Sequence, residues 1–316
     1  MNQQFAKDVL DGLNADPKTL PSKYFYDKKG DSLFQEIMSL KEYYLTRSEY
    51  EVFKTNKGAL TETFLSGVEK FRLIEFGAGD GYKTKVLLNH LLQENVNFEY
   101  LPIDISGNVL NQLESDLKQE LPDLKVRPIQ DDYFHALEKI ENGSTRNIVL
   151  FLGSNIGNFK YKKAIKFLTE LYGRLKRNDL LLIGFDLKKD PGTILNAYND
   201  NKGVTRAFNI NLLHRINNEL DANFNTSKFI HYPVYNPLTG TTKSFLVSTI
   251  AQTVEIMDSA IHFEAWEAIH TEVSQKYSLT DIERLAEESQ FSVVQNFFDT
   301  RNYFVDSVWQ KSYSSP

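Results

Sequence analysis

The sharpest chemical signal in this 316-residue chain is the stretch Glu75-Phe-Gly-Ala-Gly-Asp-Gly-Tyr-Lys-Thr84. Glycines at 77, 79 and 81 permit positive φ and let a ligand come close to the backbone. Their spacing is GxGxG, not the GxGxxG of dinucleotide binders. Glu75 and Asp80 would repel a pyrophosphate, whereas a cofactor carrying a sulfonium cation, S-adenosylmethionine, tolerates nearby acids. Further along, Asp104 can accept both hydroxyls of a ribose. Asp132 of Asp131-Asp132-Tyr133 can take an adenine amino group, with the Tyr133 ring against the base. Each feature alone is an ordinary turn. In this order on successive strand ends they read as one cofactor site, with Gly77, Gly79, Asp104, Asp132 and Tyr133 as contacts. Lys83 either pairs with the cofactor carboxylate or is a solvated helix residue.

Such residues need strands to end where they stand. Short apolar runs at 71–77, 99–104, 125–131, 147–153 and 179–186 read as strands, and amphipathic stretches at 81–92, 109–117 and 161–175 as helices between them. The alternation stops over 188–275. That stretch holds a helical pattern at 205–219, a turn-rich piece at 231–240 and a candidate strand pair at 245–256 and 260–266. A helix follows over 279–288, where Thr280 and Glu283 stand at capping-box spacing, and two closing strands lie at 291–298 and 303–309. The pattern predicts an α/β fold, a class I (Rossmann-like) seven-stranded methyltransferase sheet. Its cofactor domain is residues 47–187 plus 276–316, and a discontinuous substrate-binding lobe is residues 1–46 plus 188–275.

Composition excludes several classes. There is no cysteine, which removes disulfides, thiolate metal sites and a cysteine nucleophile. The six histidines make no HxxxH or HExxH spacing, so no metal is expected. A net charge of −6 argues against a general affinity for nucleic acid. The first residues lack the basic start and apolar stretch of a signal peptide, and no apolar run can span a bilayer. The expectation is a cytoplasmic monomer that acts on a small molecule and neither on nucleic acid nor at a membrane.

Over nearly its whole length the chain resembles the histidine-specific S-adenosylmethionine-dependent methyltransferases, the histidine Nα-methyltransferases of ergothioneine biosynthesis. The segments that carry the resemblance are LPSKYFYD at 20–27, LKEYYLTR at 40–47, residues 73–84, LPIDISGNVL at 101–110, FLGSNIGNF at 151–159, residues 197–224 and IHTEVSQKY at 269–277. The resemblance implies that Asn158 and Tyr198 hold the substrate carboxylate. It implies that Tyr43 and Tyr26 surround the α-amine beside the Gly153 backbone, and that Glu272 and Ser274 hold the imidazole. It also implies cofactor contacts from Gly77, Lys83, Asp104, Asp132 and Tyr133. One departure stands out: the family pattern has a methionine near 243–248, where this chain reads Lys243-Ser-Phe-Leu-Val-Ser248.

These residue types suit N-methylation. Only a neutral amine has the lone pair that attacks, so the site must accept a proton or select the neutral form. Tyrosine hydroxyls orient an amine without holding it cationic. Tyrosine faces suit the quaternary ammonium that three transfers would leave, the trimethyl betaine. With 16 tyrosines in the chain, packing is the stronger account of any one taken alone, and Asn158 can serve as a helix N-cap as well as a ligand. Glu272 and Ser274 share a strand face because side chains repeat every second position. Two other readings stand beside histidine Nα-methylation: an N-methyltransferase of tryptophan or another aromatic amine, and a non-catalytic methyltransferase-like binding subunit.

Overall fold

The computed structural model describes residues 3–139 and 144–312, and the α/β alternation expected from the apolar runs is present. The chain divides into two compact units, one of residues 1–44 and 189–275, the other of residues 45–188 and 276–316. In chain order, the first unit opens with α1 (Gln3–Leu13) and α2 (Lys28–Ser39). The second follows with α3 (Leu45–Leu65), β1 (Lys70–Phe76), α4 (Thr84–Gln93), β2 (Asn97–Asp104), α5 (Gly107–Glu120), β3 (Ile129–Gln130), α6 (Tyr133–Glu138), β4 (Arg146–Phe151), α7 (Tyr161–Arg174) and β5 (Leu180–Asp186). The chain then returns to the first unit for α8 (Pro191–Ala197), α9 (Val204–Leu220), β6 (Phe229–Asn236), β7 (Thr241–Ser248), β8 (Gln252–Ile256), β9 (Ser259–Phe263) and β10 (Ala268–Gln275). It ends in the second with α10 (Leu279–Glu288), β11 (Phe291–Phe298) and β12 (Phe304–Lys311). No helix among the described residues is long and apolar enough to cross a membrane.

The second unit is a seven-stranded sheet of order β11-β12-β5-β4-β1-β2-β3. Strands β1 to β5 pair in parallel, and β12 runs antiparallel to β5. Both faces are covered, which is why its strands read as unbroken apolar runs. Ile74, Val149, Leu181 and Ile183 face a core completed by α7 and α10, while Leu73, Leu150, Leu180 and Leu182 face one completed by α3, α4 and α5. The order in which strands join the sheet reverses at β1, between its neighbours β2 and β4, and ligands bind beyond the carboxyl ends of strands at such a point.

The first unit has an antiparallel sheet of order β10-β7-β6 and a separate β8–β9 hairpin. One face of the larger sheet packs on α9, where Phe208, Leu212 and Ile216 meet Leu246 and Ile269.

Several local expectations are corrected. The strand expected over 125–131 is reduced to Ile129–Gln130 plus an isolated bridge from Val126 to Tyr100. Pro128 has no N–H to give the ladder, and it is tolerated because this strand lies at the sheet edge. The helix expected over 81–92 is α4 and starts at Thr84 rather than 81. Gly77, Gly79 and Gly81 all have positive φ and keep the chain in a loop until then. The turn-rich piece at 231–240 is largely strand β6, with Pro233 again on an edge. The strand expected over 245–256 is two: residues up to Ser248 pair with β6 and β10, and only Gln252–Ile256 joins the hairpin. The last helix spans 279–288 as expected, but its capping box is Ser278 with Asp281 rather than Thr280 with Glu283. Ser278 Oγ accepts from Asp281 N at 3.1 Å, and the Asp281 carboxylate accepts from Ser278 N at 2.9 Å.

Candidate functional site

In the second unit, Gly77, Asp104 and Gly153 follow or end β1, β2 and β4. Gly77 N donates to Ile103 O at 2.8 Å, which ties the glycine loop to β2. Its φ is +68°, and a Cβ there would stand 3.1 Å from Tyr133 Oη. A Cβ on Gly81 would meet Leu113 Cδ1 at 2.8 Å. Gly79 has φ +56° and faces open space, so its backbone is accessible to a ligand. The acids flanking these glycines are not equivalent. Asp80 is exposed and accepts from Tyr82 N. Glu75 is buried and accepts from Thr84 Oγ1 and Tyr100 Oη. Burial pushes the Glu75 carboxyl up to about 7, against the pull of those two hydroxyls.

One oxygen of Asp104 accepts from Ser106 N at 2.9 Å, and the other has no partner among the described residues. Next to it Ile105 is 75 % exposed, an apolar side chain that the sequence reading passed over. Asp132 is the N-cap of α6, accepting from Phe134 N and His135 N. With Asp131 and His135 it forms a surface cluster, in which Lys139 neutralises Asp131 at 2.6 Å. The Tyr133 ring stacks flat on Phe76, with centroids 4.6 Å apart, and meets Phe151 edge-on. Burial raises its hydroxyl to about 12, so it remains a donor, close to Gly77.

Lys83 is not the solvated helix residue that one reading allowed. It precedes α4, and its ammonium forms an ion pair with Glu49, a buried residue of α3. Burial opposes the Lys83 charge, but Glu49, with Glu75 and Asp306 behind it, holds the pKa above its ordinary value. The other Glu49 oxygen accepts from Gly153 N at 2.7 Å, so one carboxylate fixes both a lysine and a strand-end glycine. A Cβ on Gly184 would fall 2.3 Å from Glu49 Oε1 and 3.1 Å from Asp306 Oδ1, which makes room for this nest depend on glycine. Asp306 is fully buried, and neither of its oxygens has a hydrogen-bond partner among the described residues. Burial and the Glu49 charge push its carboxyl well above the usual range, while Lys83 pulls it down. Sequence reasoning missed Glu49 and Asp306. Both stand among other acids in ordinary amphipathic or strand patterns, and only the fold brings them to Lys83.

Beyond β4, Gly153 and Ser154 adopt φ of +72° and +55° and lead into a 3₁₀ turn, Asn155–Asn158. Ser154 Oγ accepts from Asp186 N at 3.1 Å, which fixes the turn to the end of β5. Asn158 closes the turn with its side chain exposed and without a hydrogen bond among the described residues. It is not the N-cap of α7, a position taken by Lys160.

In the first unit, Tyr26 and Tyr43 both lie edge-on to Phe34, at 5.6 and 6.3 Å, and Tyr26 is 48 % exposed. Tyr198, at the end of α8, donates to Ser274 Oγ at 2.9 Å. Ser244 on β7 stands directly opposite Glu272 on β10 and donates to its Oε2 at 3.3 Å. The first unit therefore brings Tyr198, Ser274, Glu272 and Ser244 together as one polar patch. Ser244 falls in the segment where the family pattern has a methionine.

The sequence model of a family described as "Histidine-specific methyltransferase, SAM-dependent" matches residues 5–311. The chain is 36% identical over 273 residues to a histidine N-alpha-methyltransferase of Mycolicibacterium smegmatis, covering 86% of this chain and 84% of that one. It is 30% identical over 288 residues to ergothioneine biosynthesis protein 1 of Schizosaccharomyces pombe, covering 89% of this chain and 37% of that longer one. A solved S-adenosylmethionine-dependent methyltransferase from Clostridium acetobutylicum aligns with a TM-score of 0.45 at 11% identity, over 83% of this chain and 92% of the other.

Proposed function

We propose, from the premise that this chain belongs to the histidine-specific, S-adenosylmethionine-dependent methyltransferase family, that it methylates the α-amine of L-histidine and continues to the trimethyl betaine. The observation that carries the substrate reading is the patch of Ser274, Glu272 and Ser244 on one sheet face, joined by Tyr198 from the end of α8. A carboxylate accepts from an imidazole N–H, and a serine hydroxyl donates to or accepts from the other ring nitrogen. A site made of such groups rejects side chains that would leave them unpaired.

The cofactor reading is supported by the donor set of the 45–188 and 276–316 unit. Gly77 and Gly79 offer approachable backbone, Asp104 keeps one oxygen without a partner for ribose hydroxyls, and Lys83 presents a cation suited to a carboxylate. Asp132 and Tyr133 complete the set at the adenine end. When bound, S-adenosylmethionine supplies a methyl group on a cationic sulfur. The residues of this chain orient the nucleophile. Tyr198 carries a neutral donor suited to the substrate carboxylate, and Tyr43 and Tyr26 carry hydroxyls able to accept from the amine and ring faces suited to its growing methyl groups; Asn158, in the other unit, carries a neutral amide donor of the same kind as Tyr198. Alignment of this kind supplies about 7–11 kcal/mol of barrier lowering in well-oriented systems. We read the 45–188 and 276–316 unit as the cofactor domain and the other as the substrate lobe. We also read the protein as a cytoplasmic monomer acting on a small molecule rather than on nucleic acid or a membrane, in keeping with its net charge of −6.

A mass-spectrometric assay over the common amino acids tests this. Histidine should gain up to three methyl groups. Turnover of tryptophan in its place would establish the aromatic-amine reading, and absence of turnover with intact cofactor binding the non-catalytic one. Glu272→Ala should raise KM for histidine by about 10-fold or more, as expected for loss of a hydrogen bond to a charged group, with cofactor affinity within about twofold. Equal losses of both would remove Glu272 from the ring site.

A further inference from the structure

Glu272 faces inward only because β10 breaks register. Its partners on β7 run from Ala268 opposite Val247 to His270 opposite Phe245, and then Glu272, not Thr271, stands opposite Ser244. Thr271 is an extra residue, a β-bulge. Counting by twos from the buried Ile269 in an unbroken strand would turn Thr271 inward and both Glu272 and Ser274 outward. The bulge reverses this, so Glu272 and Ser274 lie on the same side as Ser244 and Thr242, their partners across the ladder. Bulges beside sites re-aim side chains in this way.

The bulge is pinned from α9. Thr271 is buried, and its Oγ1 lies 3.0 Å from Asn209 Oδ1 and 3.1 Å from the Ser244 carbonyl. Asn209 is fully buried, and its Nδ2 donates to Thr205 O at 3.1 Å. A carbonyl can only accept, so that bond fixes which end of the amide is nitrogen and turns Oδ1 toward the Thr271 hydroxyl. The hydroxyl has one proton, which Asn209 Oδ1 and the Ser244 carbonyl share as acceptors, so Oγ1 is held between α9 and β7.

We infer that Asn209 and Thr271 are positioning residues for substrate selection: by fixing the bulge they aim Glu272 and Ser274, and thereby set the affinity for an imidazole-bearing substrate without touching it. This rests on the reading of Glu272 as the ring ligand. A register slip toward the unbroken strand would remove both ring ligands from the patch at once.

The test is a double-mutant cycle on the full chain, with histidine and S-adenosylmethionine as substrates. Thr271→Val keeps the shape and removes the hydroxyl. It should raise KM for histidine about 10-fold, with kcat and cofactor affinity within about twofold, and Thr271→Ser should restore KM. In a Glu272→Ala background, Thr271→Val should add a clearly smaller change than it makes alone, what remains acting through Ser274, because the rest of its effect acts through Glu272. Asn209→Ala is the independent arm, with a smaller shift in the same direction, and it serves if Thr271→Val does not fold. The same Thr271→Val loss with and without Glu272, or a silent Thr271→Val beside a strong Glu272→Ala, overturns this inference alone. A silent Glu272→Ala overturns the reading of the ring ligand and the inference with it.

Discussion

The two units solve the problem of presenting polar groups in opposite ways. In the 45–188 and 276–316 unit the sheet is covered on both faces, so polar groups emerge only at strand ends and in the loops after them. There the chain uses ionisable groups: Lys83, Glu49, Asp306 and Glu75 lie close together, and all but part of Lys83 is buried. In the other unit, part of one antiparallel sheet face is polar, lined by Ser244, Thr242, Ser274, Glu272 and, from α8, Tyr198. Hydroxyls dominate, and Glu272 is the one carboxylate among them. A buried charge cannot be removed without stranding its partner, whereas a hydroxyl can be removed for the loss of a single hydrogen bond. Stability and binding should therefore be inseparable in the first arrangement and separable in the second.

Lys83→Met is the harshest way to break that contrast. It leaves Glu49 and Asp306 buried together with no cation between them. Loss of one partner of a buried pair costs about 3–5 kcal/mol, and the part-exposed lysine places this site near the lower figure. Urea unfolding should show a loss of about 3 kcal/mol, and calorimetry a weakened uptake of the sulfonium cofactor. A variant that loses cofactor affinity at unchanged stability would mean that the nest is not held together by its charges.

Titration separates the two units with opposite signs. Glu75 has a folded pKa of about 7 against 4.5 for the free group. Between those values the folded state holds the extra proton, so stability falls as pH rises from 4.5 to 7, by about 3 kcal/mol in order of magnitude. His231, on β6, has the reverse imbalance. Its Nε2 is buried without a partner among the described residues, and burial lowers its pKa from 6.5 to about 4. The unfolded chain then binds the extra proton, so this contribution is complete above 6.5 and is lost as pH falls toward 4, by a similar amount of about 3 kcal/mol. Between pH 4.5 and 6.5 the two contributions oppose each other, so Glu75→Gln should leave stability rising with pH there in urea unfolding, and His231→Asn should leave it falling. A variant whose slope across that window matches the wild type would show that its residue does not carry the assigned contribution.

What could be read beforehand follows the same division between local and distant causes. Strands such as Leu180–Asp186 announce themselves because burial on both faces selects a continuous apolar run. The three glycines were legible because positive φ restricts the residue type. Glu49 and Asp306 were not, because their role comes from contacts with Lys83 across long sequence separations. The bulge at Thr271 was equally hidden: it is a fact about register against β7, and nothing within IHTEVSQKY marks which residue is the extra one. Two errors were local. Pro128 should have warned that the strand over 125–131 would be cut, and Ser278 with Asp281 competed with Thr280 and Glu283 at the same capping-box spacing.

Tyr198→Phe is the mildest probe and the one that sharpens the contrast most. The variant keeps the ring, which is buried, and removes only the hydroxyl that donates to Ser274 at 2.9 Å. Ser274 keeps its own proton and its place on the strand, so it is not stranded as a charge would be. The stability loss should be that of one neutral hydrogen bond, about 1 kcal/mol or less. Histidine affinity should fall further, because Tyr198 is read as a donor to the substrate carboxylate and a bond to a charged group contributes about 1.5–3 kcal/mol. Cofactor affinity should not move. The informative quantity is thus the ratio of the two losses: above one it supports a hydroxyl-lined face whose binding can be tuned apart from folding. A Tyr198→Phe variant destabilised as much as Lys83→Met, with histidine affinity unchanged, would mean that the hydroxyl patch serves the core and that the substrate carboxylate is held elsewhere.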